Sequence, residues 1–175
     1  MSKTKQAPAK PALTEKEVAA RNATALARVA EMDDPEKLRN LRANAERMGV
    51  EPVRDAAFAR LAVVQAEGEP GSVENDIWQM IHAVEEIKRE TQGKTIRLSY
   101  LRRDIQKVGE VPAIGKLVAK PGPSERFDEL MARGLPQFTA EAITLRHPDA
   151  FDDATRDAAR ARLEGAGVDI DGLVA

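Results

Sequence analysis

The sequence contains no cysteine, and aromatic residues make up only 3% of its 175 residues. Without cysteine the chain forms no disulfide, no thiolate metal site and no cysteine nucleophile. Because β-sandwiches and β-barrels depend on aromatic and β-branched pairs across strands, so few aromatic side chains disfavour both architectures. No apolar run approaches the roughly 20 residues that a transmembrane helix needs, so we expect no membrane partner.

Sequence motifs of common catalytic sites are missing as well. The chain has no glycine-rich dinucleotide motif, no P-loop and no nucleophile elbow. Its two histidines, His82 and His147, lie far apart in the sequence, and neither has a second histidine at metal-ligand spacing. Asp149, Asp152 and Asp153 follow His147, and we interpret them as a helix cap and solvated carboxylates. We therefore predict a protein that is not an enzyme, with no catalytic residue, no metal site and no cofactor.

The residues that are abundant favour helices. Apolar side chains make up 42% of the chain, which is enough for a core of alanine, leucine, valine, isoleucine and methionine. Alanine and leucine, with the numerous charged residues glutamate, lysine and arginine, have high helix propensity. Pro and Gly residues separate segments in which apolar residues recur at helical spacing. The sequence predicts an all-α protein, a compact bundle of about eight or nine short helices that includes αα-hairpins.

The same pattern divides the chain into segments. Residues 1–12 carry three lysines and no apolar periodicity, so we predict a disordered basic tail. We predict an N-terminal helical hairpin region over 13–70, a helical core region over 73–167 and a C-terminal tail over 168–175. The N-terminal stretch lacks the apolar segment of a secretory signal, so a cytoplasmic location is expected by default.

Charge is distributed unevenly along the chain, although the net charge is only −2. Residues 88–120 hold nine basic and three acidic side chains, a balance of +6. Residues 1–87 and 121–175 have balances of −3 and −5. The basic block is therefore predicted either to dock on its acidic neighbours or to form an anion-binding face.

The stretch SYLRRDIQKVG at residues 99–109 contains the densest part of this block. At about 100° per residue, Leu101, Ile105 and Val108 fall within one arc of about 60° that we expect to be buried, and the basic and amide side chains occupy a separate arc of about 140°. A glycine and a second short helix follow, which makes 94–120 resemble a helix-turn-helix unit in length. The candidate nucleic-acid-binding residues are Lys94, Arg97, Arg102, Arg103, Gln106, Lys107, Lys116 and Lys120.

Two functions follow from these patterns. The first is a nucleic-acid-binding accessory or regulatory protein, with duplex DNA as the expected partner. Most of the cations precede the second helix, so contacts with the phosphate backbone are favoured over base reading. The alternative is a helical adaptor that docks on an acidic protein surface and uses no nucleic acid. Tryptophan is enriched at binding hot spots, so the adaptor hypothesis assigns partner binding to Trp78, His82 and Arg89.

Overall fold

The structure is a computed structural model that describes residues 14–174. The predicted tail at residues 1–12 lies outside this range. The described residues form ten α-helices and two 3-10 turns and contain no strand, which confirms the all-α prediction. The helices are α1 (Glu15–Ala30), α2 (Pro35–Arg47), α3 (Glu51–Gln65), α4 (Val73–Gln92), α5 (Ser99–Val108), α6 (Glu110–Val118), α7 (Glu125–Ala132), α8 (Ala140–Arg146), α9 (Asp153–Gly165) and α10 (Ile170–Val174). The 3-10 turns are Pro136–Phe138 and Pro148–Ala150.

Local capping chemistry fixes where the helices begin. Thr14 and Glu17 form a capping box at the start of α1, in which each side chain bonds the backbone of the other residue. At the start of α2 the Asp34 carboxylate accepts two backbone N–H groups, and Pro35 occupies the first turn. Gly93 ends α4 in a left-handed conformation that favours glycine. Residues close in the sequence therefore set these three helix boundaries.

The first three helices enclose a small apolar cluster of their own. Val29 of α1, Leu38 and Ala45 of α2 and Val53 and Leu61 of α3 are all buried in it. The helices α2 and α3 pack along each other as the predicted αα-hairpin, and α1 packs on α3. Burial of these side chains removes apolar surface from water and is the main force that holds α1 and α2 in place.

The helix α3 joins this cluster to the larger core. Its Phe58 and Ala62 belong to the core that α4 organises, whereas its Val53 and Leu61 face α1 and α2. A helix buried on two sides has apolar residues around most of its circumference, as α3 does. The N-terminal helices are therefore continuous with the rest of the bundle through α3.

The helix α4 is the central element of the larger core. Its residues Ile77, Ile81 and Val84 have no measurable exposure, and α3, α6, α7 and α8 all pack against it. Towards the C-terminus α8 and α9 pack on each other, and the short α10 buries Ile170 against this pair. No helix in the range 14–174 is both long enough and apolar enough to cross a membrane.

The helix α5 lies at the edge of this core. Leu101 and Ile105 insert into it, and α6 is its principal neighbour. The opposite side of α5 is exposed to solvent, as the helical projection of the sequence predicts. Val108, which the projection places on the buried side, is instead 40% exposed, because it is the last residue of α5 and the chain turns at Gly109. The position of α5 at the periphery decides which of its charged side chains are available to a partner.

Candidate nucleic-acid interface

A carboxylate on α4 holds the beginning of α5. The Glu85 side chain accepts a hydrogen bond from the backbone N–H of Leu98 at 2.8 Å through Oε1. Ser99 is the first helical residue of α5, and Leu98 in the cap position has no capping side chain. The carboxylate of a neighbouring helix therefore bonds the backbone at the start of α5, and it ties α5 to the core.

Glu85 also binds Arg102, which changes the expected arrangement of the basic arc. The Arg102 guanidinium donates from Nε to Oε1 at 2.7 Å and from Nη2 to Oε2 at 2.8 Å. Its carbon lies 4.9 Å from the centroid of the Trp78 ring, within range of a cation–π interaction. The hydrogen bonds that Arg102 donates to Glu85 raise the pKa of Arg102. The expectation that Arg102 points into solvent with its neighbours is wrong, because its partner lies on a different helix.

The other three members of the arc do face solvent. Arg103, Gln106 and Lys107 are exposed, and no carboxylate of the described residues lies within ion-pair distance of either cation. Tyr100 shares their side of α5 and is 79% exposed, with the Arg103 guanidinium 5.6 Å from its ring centroid. We call Tyr100, Arg103, Gln106 and Lys107 the α5 face. Asp104 is also exposed on this side of the helix and reduces its positive potential.

The remaining candidates flank the α5 face along the chain. Lys94 and Arg97 are exposed in the segment between α4 and α5, and Lys116 and Lys120 are exposed on α6 and just after it. The backbone carbonyl of Lys120 accepts a hydrogen bond from Arg162 of α9 at 2.8 Å, which fixes the backbone there.

The segment 94–120 departs from a helix-turn-helix unit in two ways. A single residue, Gly109, separates α5 from α6, whereas the usual turn has about three or four residues. In addition, α6 buries Ala113, Ile114 and Val118 in the core, so this side of the second helix cannot read bases, and Lys116 is the only exposed cation on the helix. The exposed chemistry of the segment lies on the first helix.

The residues of the adaptor hypothesis are only partly accessible. Trp78 and His82 are half-buried, with ring centroids 6.3 Å apart, and Arg102 covers part of Trp78. Burial lowers the pKa of His82, although Glu85 acts in the opposite direction. The Arg89 side chain is 40% exposed, and its nearest carboxylate oxygen, on Glu86, is 3.9 Å away.

Other cations are held inside the protein. Lys88 lies 3.0 Å from a carboxylate oxygen of Glu125 and 2.8 Å from one of Glu129, both on α7. The second histidine also contacts a distant helix. His147 Nε2 lies 2.8 Å from Oδ2 of Asp76 on α4, rather than near the aspartates that follow His147 in the sequence. The basic block therefore divides into cations that stabilise the fold, such as Lys88, and cations that face solvent.

Comparison with known proteins gives no relative for this arrangement: no protein-family model matches the chain, and neither does any curated protein or solved structure. The functional argument therefore depends on the geometry of the chain itself.

Proposed function

We propose that this protein is a non-enzymatic DNA-binding protein that contacts the phosphates of duplex DNA through the α5 face. The observation that supports this most directly is the pair Arg103 and Lys107. Both are exposed, both lie one turn apart on the same side of α5, and neither has an ion-pair partner in the part of the chain that is described. By contrast, Arg102 beside them is fully engaged with Glu85.

The chemistry of the α5 face suits phosphate oxygens. Guanidinium and ammonium groups donate to phosphate, and glutamine and tyrosine side chains add neutral donors to the same backbone. Lys94 and Arg97 immediately precede the helix and extend the set of exposed cations. The bond from Leu98 N–H to Glu85 fixes the helix before any ligand binds, which reduces the entropy lost on binding.

The same geometry favours backbone contacts over sequence reading. The α5 helix has only ten residues, and the second helix packs one side into the core and carries a single exposed cation, Lys116. Phosphate contacts position a protein on DNA but carry no direct sequence information. We therefore expect weak, salt-sensitive binding, with a dissociation constant of about 1 μM or weaker near physiological salt.

Fluorescence anisotropy with a labelled DNA duplex at low salt tests the proposal. We expect Arg103→Ala combined with Lys107→Ala to weaken binding about tenfold or more. The matched control is Lys16→Ala with Arg21→Ala, which removes two exposed cations from α1. The control should bind within about twofold of the wild type. Equal losses in the two double variants would mean that net charge alone drives binding, and the α5 face would then have no special role.

The adaptor is the second candidate, because the half-buried Trp78 and the partly exposed Arg89 lie about three turns apart along the same side of α4. It ranks second because Arg102 covers part of the indole surface that a partner would contact. Polyglutamate is a suitable probe for an acidic protein surface. Binding of polyglutamate, without DNA binding at the same ionic strength, would favour the adaptor, and its loss in Trp78→Ala would locate the site.

A further inference from the structure

A polar groove lies between α4 and the segment that connects α4 to α5, with α2 and α3 on its other side. Its volume is about 210 Å³, below the roughly 300–1,000 Å³ of pockets for drug-sized ligands. The side chains that line it and carry hydrogen-bonding groups include those of Arg39, Gln65, His82, Arg89, Thr95 and Arg97. A groove of this size suits a small polar ligand.

Two carboxylates also line the groove, but other parts of the protein neutralise them. Glu85 accepts hydrogen bonds from Nε and Nη2 of Arg102 and from the Leu98 N–H. Glu86 is buried, and Arg39 and Arg42 each place a nitrogen 3.5 Å from one of its oxygens. Neither carboxylate therefore has the capacity to neutralise further cations at the groove.

The arginines on the outer side of the groove are left with unused donors. Arg89 has only the 3.9 Å approach to Glu86, and its side chain is 40% exposed. Arg97 is exposed and has no carboxylate within ion-pair distance among residues 14–174. Arg39 is already committed, since it bonds Glu36, Gln65 and Glu86. The surplus positive charge at the groove thus comes from Arg89 and Arg97.

An unpaired polar atom lies at the same place. The Nε2 atom of His82 is buried and has no hydrogen-bond partner in the described structure, and His82 lines the groove. Because this nitrogen is closed off from solvent, a ligand in the groove would contact the accessible guanidinium groups of Arg89 and Arg97, and His82 contributes only to the wall.

We propose that this groove binds a phosphate monoester or inorganic phosphate, with Arg89 and Arg97 as the charged ligands. The planar guanidinium presents two parallel N–H donors that match the oxygens of a phosphate, and an exposed lysine pair would lack this geometry. The Thr95 hydroxyl is available as a neutral donor beside them. This phosphate site is separate from the α5 face, although Arg97 lies beside that face as well as in the groove. The phosphate proposal does not depend on DNA binding.

Isothermal titration calorimetry at constant ionic strength tests this proposal with three probes. They are inorganic phosphate, a nucleoside 5′-monophosphate and the matching nucleoside without phosphate. We expect both phosphates to bind and the nucleoside not to bind. Tighter binding of the monophosphate than of inorganic phosphate would identify a monoester as the ligand, and equal binding would identify the phosphate group alone. Absence of binding by both phosphates, or equal binding of the nucleoside, would overturn the proposal.

Variants separate this site from the α5 face. Arg89→Ala should weaken phosphate binding about tenfold, and Arg89→Lys should cause a smaller loss because it keeps the charge but not the paired donors. Circular dichroism checks that both variants are folded. The variant that lacks Arg103 and Lys107 should bind phosphate as the wild type does, even though its DNA affinity is reduced. Unchanged phosphate affinity in Arg89→Ala would contradict the assignment whatever the result with DNA.

Discussion

The pair of neighbouring arginines on α5 provides the sharpest prediction about the fold. Arg102→Ala removes two charge-assisted hydrogen bonds and leaves the Glu85 carboxylate, which is only 12% exposed, with the Leu98 N–H as its hydrogen-bond donor. Loss of one partner from a buried ion pair costs about 3–5 kcal/mol. Because both side chains retain some contact with solvent, we expect the free energy of unfolding to fall by about 2–3 kcal/mol.

Urea denaturation and thermal melts measure this loss. In a chain of this size, each kcal/mol shifts Tm by about 2–4 °C, so Arg102→Ala should melt about 4–12 °C below the wild type. Arg103→Ala is the matched control, since it removes the adjacent arginine from an exposed position and should change stability by about 0.5 kcal/mol or less. Equal stability of the two variants would refute the structural role that we assign to the Arg102–Glu85 pair.

Three further predictions concern the core and pH. Arg162→Ala should lower the free energy of unfolding by about 3–5 kcal/mol, because it leaves the carboxylate of Glu141, which is 2% exposed, without its cation. The control is Arg160→Ala on the exposed side of α9, and equal urea midpoints for the two variants would contradict this prediction. Leu38→Ala should cost about 2–5 kcal/mol in the same assay, and a loss below about 1 kcal/mol would mean that the N-terminal cluster is loosely packed. Burial lowers the pKa of His82 in the folded protein, so as pH falls the unfolded chain binds a proton at this residue before the folded chain does. The free energy of unfolding should therefore decrease as pH drops below about 6.5, the ordinary histidine pKa, towards the folded value. The free energy of unfolding of His82→Gln should depend less steeply on pH in that window than that of the wild type. Identical slopes would show that His82 is not the source of the pH dependence.

The sequence predicts best those features that depend on neighbouring residues. The capping residues Thr14 and Asp34 act on the backbone within three residues, so the starts of α1 and α2 follow from local chemistry. The same holds for Leu101 and Ile105, whose spacing alone places them on the buried side of α5.

Features that depend on the packing of distant segments were not accessible in this way. Arg102 lies at the edge of the basic arc, next to the buried side, and only the position of Glu85 on α4 turns it inward. Tyr100 falls between the two arcs of the helical projection, and only the packing of α5 on the core leaves it 79% exposed. The groove at Arg89 and Arg97 likewise requires α2, α3 and α4 to come together.

The salt dependence of DNA binding tests the central claim most directly. If Lys94, Arg97, Arg103 and Lys107 each neutralise one phosphate, the logarithm of the binding constant should fall with the logarithm of salt concentration with a slope of about −3.5. The variant Arg103→Ala with Lys107→Ala should flatten that slope by about 2, and the α1 control should not. A slope near zero for the wild type, or the same slope in all three proteins, would contradict the account.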